Sequence, residues 1–146
     1  MRIRRATMSD IPAIIDLAVE SVTRSPLPVV IDRPEMVATA EVCIPGNAHF
    51  VWVAEEDGVV VGCVAAQVSK GFWFQRLQAS VLLFYTRKPG GGIALLREFS
   101  RWVKSRPAIK MAVFSLEHDA DPRIGTLLKR LGFGLQNPQY TYVRGL

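Results

Sequence analysis

The 146-residue sequence predicts an α/β fold: a central mixed sheet flanked by helices, in one domain spanning 1–146. Three observations carry this. Segments of β-like and helix-like patterning follow one another in the order β α α β β β α β α β. Two β-branched segments flank Glu56-Asp57-Gly58, which reads as a hairpin with a tight turn. The most apolar strand-like segment then feeds through a run of glycines into the clearest amphipathic helix of the chain.

Each element has its own signal. Arg2 to Thr7 alternates charged and less polar side chains, as a first strand does. Ser9-Asp10 offers an N-cap ahead of Ile11, Ile14, Ile15, Ala18 and Val22 at helical spacing. Ser25-Pro26-Leu27-Pro28 ends that helix. A weaker helical stretch runs from about Pro34 to Val42, before Pro45-Gly46-Asn47. The hairpin strands start at His49 and Val59. Gln78 to Tyr85 is apolar enough to predict a strand buried on both faces at the sheet centre. From Gly92 to about Ser105, Ile93, Leu96, Phe99, Trp102 and Val103 form one stripe, while Arg97, Glu98, Arg101 and Lys104 face away. Lys110 to Leu116 reads as a strand, and Pro122 to Leu131 as a helix with Gly132 at its C-cap. Gln139 to Arg144 reads as a last strand.

Composition narrows the class. With 49% hydrophobic and 21% charged residues, the chain resembles soluble globular proteins and not a disordered or fibrous one. Ala79 to Tyr85 is too short to span a bilayer, and the N-terminus lacks the apolar core of a signal peptide, so a cytoplasmic location and no membrane association are expected. The formal charge of +5 fits either a nucleic acid or a ligand carrying several phosphates. The basic residues are dispersed, without a dense run interleaved with aromatics, so a nucleic-acid partner is not expected. Cys43 and Cys63 sit in apolar stretches without metal-ligand spacing, which predicts buried free thiols and no metal. The sequence leaves a homodimer open.

Thr86-Arg87-Lys88-Pro89-Gly90-Gly91-Gly92 joins the apolar strand to the amphipathic helix. The first amides of a helix have no internal partner, and the helix dipole adds partial positive charge there. Glycines let a phosphate approach the backbone closely, so such a turn binds anions. A side chain at Gly91 is expected to protrude toward the bound phosphates.

Arg87-Lys88-Pro89-Gly90-Gly91-Gly92 resembles the (Gln/Arg)-x-x-Gly-x-(Gly/Ala) signature of the GCN5-related N-acetyltransferase (GNAT) family, with Leu95 and Leu96 where that family has paired apolar helix residues. A second register, from Pro89 to Ala94, would put Pro in place of the motif's Arg. Leu127 to Phe133 is similar to the family's helix ending in Lys/Arg-x-Gly-Phe, and Ser9-Asp10-Ile11-Pro12 to its first-helix entry. The resemblance covers nearly the whole chain. It implies an N-acyltransferase that moves an acyl group, acetyl by expectation, from acetyl-CoA or another acyl-CoA to an amine acceptor. It also implies a splay between the fourth and fifth strands that takes the pantetheine arm, with Tyr85, Thr86, Arg87, Lys88, Gly90, Gly91, Gly92, Ile93 and Ala94 holding the donor. The family's frequent general-acid Tyr, four residues before the helix-ending Gly, is replaced by Leu128. An acyl-CoA-binding domain without efficient turnover, or a basic binding module, are the alternatives.

Acyl transfer to an amine needs a base, an oxyanion stabiliser and a proton for the leaving sulfur. Glu117, near the end of the expected fifth strand, is the carboxylate best placed by sequence. Tyr85 and Ser80 on the fourth strand, and Tyr140 and Tyr142 on the last, are hydroxyls that could replace the absent Tyr. His118 reads as an exposed turn residue and His49 as structural. Trp73, in the aromatic loop Phe72-Trp73-Phe74-Gln75, is expected at an acceptor contact, with a hydrophobic flap or a dimer contact as the other reading.

Overall fold

The computed structural model describes residues 1–25, 30–73, 76–116 and 120–144. Strands β1 (Arg2–Arg5), β2 (Phe50–Glu56), β3 (Val59–Lys70), β4 (Leu77–Thr86) and β5 (Ile109–Val113) form one five-stranded sheet in that order. The helices are α1 (Ile11–Thr23), α2 (Arg33–Cys43), α3 (Gly91–Lys104) and α4 (Pro122–Arg130). Neighbouring strands are antiparallel from β1 to β4, whereas β4 and β5 are parallel. A parallel pair needs a crossover, and α3 supplies it.

The alternation of β2 shows how the two faces are filled. Val51 and Val53 point into a core with Ile11, Ile14, Ile15 and Leu17 of α1. Phe50 and Ala54 point into a second core with Leu95 and Phe99 of α3. Between β2 and β3, Asp57 and Gly58 both adopt positive φ, 51° and 77°. Two consecutive left-handed residues give the turn whose twist suits a tight hairpin, as the Asp-Gly pair predicts. The α3 stripe differs from its expectation in two residues: Leu96 and Phe99 are buried as expected, but Leu95 is buried with them and Ile93 is 49% exposed. Helix α4 ends at Gly132, whose φ is 102°. The Phe133 N–H bonds to the Leu128 carbonyl at 2.9 Å and the Gly132 N–H to that of Lys129 at 3.1 Å. This left-handed cap turns the chain so that Phe133 stacks against Phe99 at 6.1 Å.

Two strand expectations are corrected. β4 is not the buried centre: only Ala79 on it is fully buried and Leu82 is 54% exposed, while Val60 to Val64 of β3 are all buried. The reason is that β5 pairs with β4 only over Leu77 to Ser80, which leaves the rest of β4 with a neighbour on one side. Gln139 to Arg144 does not form a strand: Tyr140 and Tyr142 are largely exposed, and no described segment pairs with the outer edge of β5. High β-propensity does not hold a strand without a ladder partner.

The entry to α1 also differs from a simple cap. A turn of 3₁₀ helix, Met8–Asp10, precedes it, and the Asp10 carboxylate makes no cap bond to α1. Instead it accepts the Thr7 N–H at 2.7 Å and two bonds from the Arg4 guanidinium, at 2.7 and 3.0 Å. Edge strand β1 is thereby tied to the start of α1. Arg4, whose acidity is weakened by the pairing, holds the Asp10 carboxyl at about 2.

Because the folded value lies below the ordinary one of 3.8, the stabilisation is fully present above about pH 4 and is lost as pH falls through about 2. Asp10→Asn should lower stability by about 2–3 kcal/mol, less than a fully buried broken pair costs because Arg4 is partly solvated. Thermal melts of both proteins from pH 7 to pH 2 should converge at the acid end; parallel curves would deny the pair this role.

Candidate functional site

The divergence of β4 from β5 begins where their ladder stops, at the pair Ser80 and Val113. From Val81 to Thr86, β4 remains bonded to β3 but has no described strand on its other side. Alternate backbone N–H and C=O groups along that edge are therefore free for a ligand. A bulge adds to this. Ala65 pairs with Leu83 and Ala66 with Val81, so Leu82 is an extra residue in β4. Bulges re-aim the backbone and the side chains around them. Phe84 and Phe114 meet edge to face across the opening, with ring centroids 5.3 Å apart.

At its far end the opening meets the glycine turn. The Arg87 N–H continues the ladder to the Val61 carbonyl at 2.8 Å. The Thr86 hydroxyl closes the next step, accepting the Lys88 N–H at 3.1 Å and donating to the Lys88 carbonyl. Gly90 is the N-cap of α3 with φ 92°, a conformation that favours glycine, and no side chain caps the helix. The Ala94 N–H reaches the Gly90 carbonyl at 3.4 Å as the first helical bond. The N–H groups of Gly91, Gly92 and Ile93 precede that ladder, and Ile93 lies exposed beside them.

Gly91 and Gly92 do something other than expected. A Cβ on Gly91 would stand 2.8 Å from Met1 Sδ and 3.2 Å from Ala54 Cβ. On Gly92 it would stand 3.1 Å from Thr86 Cγ2 and 3.2 Å from Phe84 Cζ. Both positions face the protein interior, so a side chain at Gly91 would not protrude toward phosphates. These glycines let the start of α3 pack directly on β4 and β2. Gly90 is the one whose Cβ would meet open space.

Both cations of the turn are engaged by carboxylates. Arg87 Nε lies 2.8 Å from Glu20 of α1, and Lys88 Nζ lies 2.5 Å from Glu56 at the end of β2. These contacts lower the pKa of both carboxyls and raise that of both cations. An anion entering the turn would therefore meet main-chain amides before it could displace either carboxylate. Tyr85 packs on the α1 side of β4, with the Arg24 guanidinium 5.6 Å from its ring centroid. Its hydroxyl is buried on the side of Glu20, with no well-formed hydrogen bond among the described residues, and burial first, then the Glu20 carboxylate, push its pKa up, so it stays protonated at neutral pH.

Tyr85, Thr86, Arg87, Lys88, Gly90, Gly91, Gly92, Ile93 and Ala94 are therefore gathered at one end of β4, as the sequence implied. Ser80 sits at the closed end of the opening, where its hydroxyl takes a bond from Gln78 at 3.2 Å. Trp73 lies between β3 and β4, at the end of β4 away from the glycine turn, exposed and edge-to-face with Phe72. Glu117 and His118, with Phe74 and Gln75, lie outside the described residues. Leu128 is buried in the core, so the position of the family's usual Tyr carries no polar group. Tyr140 and Tyr142 are exposed in the C-terminal segment. No group of described residues could hold a metal ion, and no described helix is long and apolar enough to cross a membrane. Sequence reasoning missed the bulge at Leu82, since main-chain pairing leaves no side-chain signature, whereas the opening between β4 and β5 is where the resemblance implied a splay.

No family model and no curated protein matches the sequence. Solved structures do match over almost the full length. A protein from Clostridium acetobutylicum described as a predicted acetyltransferase, solved with acetyl-CoA, aligns at a TM-score of 0.74 and 18% identity, over 98% of this chain and 95% of its own. Glucosamine-6-phosphate N-acetyltransferase from Arabidopsis thaliana aligns at 0.71 and 14%, over 98% and 97%. An aminoglycoside acetyltransferase from an uncultured soil metagenomic sample, solved with sisomicin, aligns at 0.68 and 15%, over 97% and 94%. At such identities the likeness is one of architecture, and it agrees with the mixed sheet, the opened β4–β5 pair and the glycine turn: the chain has the fold of the GCN5-related N-acetyltransferases.

Proposed function

We propose that this protein is an acyl-CoA-dependent N-acyltransferase that transfers an acetyl group from acetyl-CoA to an amine. The observation that carries the reading is the continuity of two features: the free edge of β4 from Val81 to Thr86 runs straight into the unpaired amides of Gly91, Gly92 and Ile93. That edge is roughly 20 Å long at about 3.3 Å per residue. It suits an extended amide-bearing arm such as pantetheine, whose own N–H and C=O groups would complete the ladder that β5 abandons. The pyrophosphate then falls at the start of α3, where dipole and amides favour an anion. The Clostridium neighbour, solved with acetyl-CoA, supports the same co-substrate, and the names of the other two neighbours support an amine acceptor.

In this arrangement the thioester lies at the closed end of the opening, near Ser80, because the arm runs inward from the phosphates. The free N–H groups next to the Leu82 bulge are the donors available to the carbonyl oxygen as it gains negative charge. A neutral amine attacks the carbonyl carbon, the C–N bond forms, and the C–S bond breaks with its electron pair left on sulfur. The amine's proton passes to a base, and the sulfur takes a proton from a hydroxyl or water. Glu117, a few residues beyond β5 in sequence, is the base of this proposal. Ser80 and Tyr85 are the hydroxyls that β4 offers, Ser80 at the thioester end and Tyr85 at the phosphate end. A second reading is favoured by Leu128: with an apolar, buried residue where a general acid is common, the fold would bind acyl-CoA with little turnover.

Two substitutions separate phosphate binding from folding. Ile93→Glu places a carboxylate on the exposed side of the first helical turn, where it suits the dipole but repels a pyrophosphate. It should weaken coenzyme A binding at least ~10-fold, or about 1.4 kcal/mol, with an unchanged melting temperature. Gly92→Ala should do the reverse in kind: the methyl group meets Thr86 and Phe84, so the protein should lose about 1–3 kcal/mol of stability. Unaltered affinity in a folded Ile93→Glu protein would move the phosphate site elsewhere.

Glu117→Gln tests the base. Against a panel of amines, kcat should fall about 10²-fold or more while coenzyme A affinity is kept, and the loss should shrink as pH rises and more amine is already neutral. Wild-type rates across the pH range would remove Glu117 from the chemistry. Absence of thiol release in the parent protein, with coenzyme A bound, would favour the second reading.

A further inference from the structure

The end of the sheet opposite the glycine turn carries a cluster that acyl transfer does not use. Two adjoining cavities, of about 310 and 370 Å³, share Leu77 and Ala108 as a common wall. The Leu77 N–H bonds to the Ala108 carbonyl at 3.0 Å, so this wall is fixed where β4 and β5 start. Lys70, Arg76 and Arg106 stand around it, and Val68 and Ile109 give it an apolar floor. Arg106 lies over the Trp102 ring, 4.7 Å from its centroid, which holds the guanidinium in place.

The charges of this cluster have no carboxylate partner among the described residues: none of Lys70, Arg76 and Arg106 forms an ion pair there. The contrast with Arg87 and Lys88, both paired with glutamates, is marked. His49 adds a donor. Its Nδ1 accepts the Val68 N–H at 2.9 Å, just past the point where β2 stops pairing with β3. With Nδ1 as acceptor, the neutral ring carries its proton on Nε2. His49 lines the larger cavity.

We propose that this end of the sheet is a second ligand site, separate from the acyl-CoA site, for a small organic anion: a carboxylate or phosphate ester attached to an apolar group. The anion would sit among Lys70, Arg76 and Arg106, and the apolar part would cover Val68, Leu77 and Ile109. A cavity of this volume is of the size that small ligands occupy, and an apolar lining with a few convergent polar groups is the usual composition of such sites. β4 separates it from the glycine turn by roughly 30 Å and from Ser80, at the acyl end of the proposed donor site, by about 10 Å.

The test is a titration of the isotopically labelled full chain with phenylphosphate and, separately, phenylacetate, followed by amide and imidazole chemical shifts. Inorganic phosphate and phenol are the controls. The proposal expects saturable shifts at His49, Ala108 and Ile109, with a Kd on the order of 1 mM for a fragment of this size. Whichever of the two anions binds more tightly identifies the head group. Each control should bind at least ~10-fold more weakly. The charge reversals Lys70→Glu with Arg76→Glu, exposed positions that leave the core alone, should weaken binding ~10-fold or more without moving the amides of Gly90 to Ala94. Shifts confined to the glycine turn, no saturation by 10 mM of either probe on the order-of-magnitude scale set above, or binding indifferent to the charge reversals would overturn it. So would inorganic phosphate binding as tightly as phenylphosphate, because the apolar floor would then play no part.

Discussion

The close approach of α3 to β4 is the constraint on which the rest of this structure depends. At Gly91 and Gly92 the helix begins within van der Waals distance of Ala54, Phe84 and Thr86, and no residue with a Cβ fits without displacing them. That contact sets where the N-terminus of α3 points. It also seats Leu95 and Phe99 in the second core and fixes the crossover that delivers β5 parallel to β4. A helix starting one turn later or farther from the sheet would move its free amides away from the open edge of β4. Gly91 and Gly92 therefore position the first amides of α3, which the proposed function gives to an anion, while Gly90, with its left-handed φ, turns the chain into the helix.

The electrostatic arrangement follows from this placement. Arg87 and Lys88 are the side chains nearest the turn, yet each is already satisfied by a glutamate from a different element, Glu20 on α1 and Glu56 on β2. These exposed pairs contribute little to stability. Their effect is on geometry: they hold two long side chains beside the turn and leave the amides uncovered. A polyanion could recruit Arg87 and Lys88 only by competing with carboxylates, which is why the proposed binding mode begins with main-chain donors.

Much of this was legible in the sequence, and for identifiable reasons. The helices α1 and α3 showed because their buried residues recur at helical spacing. The β2–β3 hairpin showed because Asp57-Gly58 is suited to two positive φ angles. The glycine turn and the Gly132-Phe133 helix end were visible because each relies on a residue type that backbone geometry demands. What stayed hidden depends on pairing. The apolar run of β4 suggested a central strand, but a short β5 leaves half of it uncovered, and no side chain records where a neighbouring ladder stops. Gln139 to Arg144 had strand-like residues and no ladder to join. The inward direction of Gly91 was equally unreadable, because a glycine does not say which of its two missing contacts, ligand or core, excluded a side chain.

The central claim is that acyl-CoA lies along the free edge of β4 with its pyrophosphate on the first amides of α3. Amide chemical-shift mapping during titration with coenzyme A tests it most directly. The account predicts saturable shifts concentrated at Gly90 to Ala94 and along Val81 to Thr86, with little change at Ala108 and Ile109 at the other end of the sheet. Binding that leaves both of those segments unmoved, or no binding at millimolar coenzyme A by a folded protein, would contradict it.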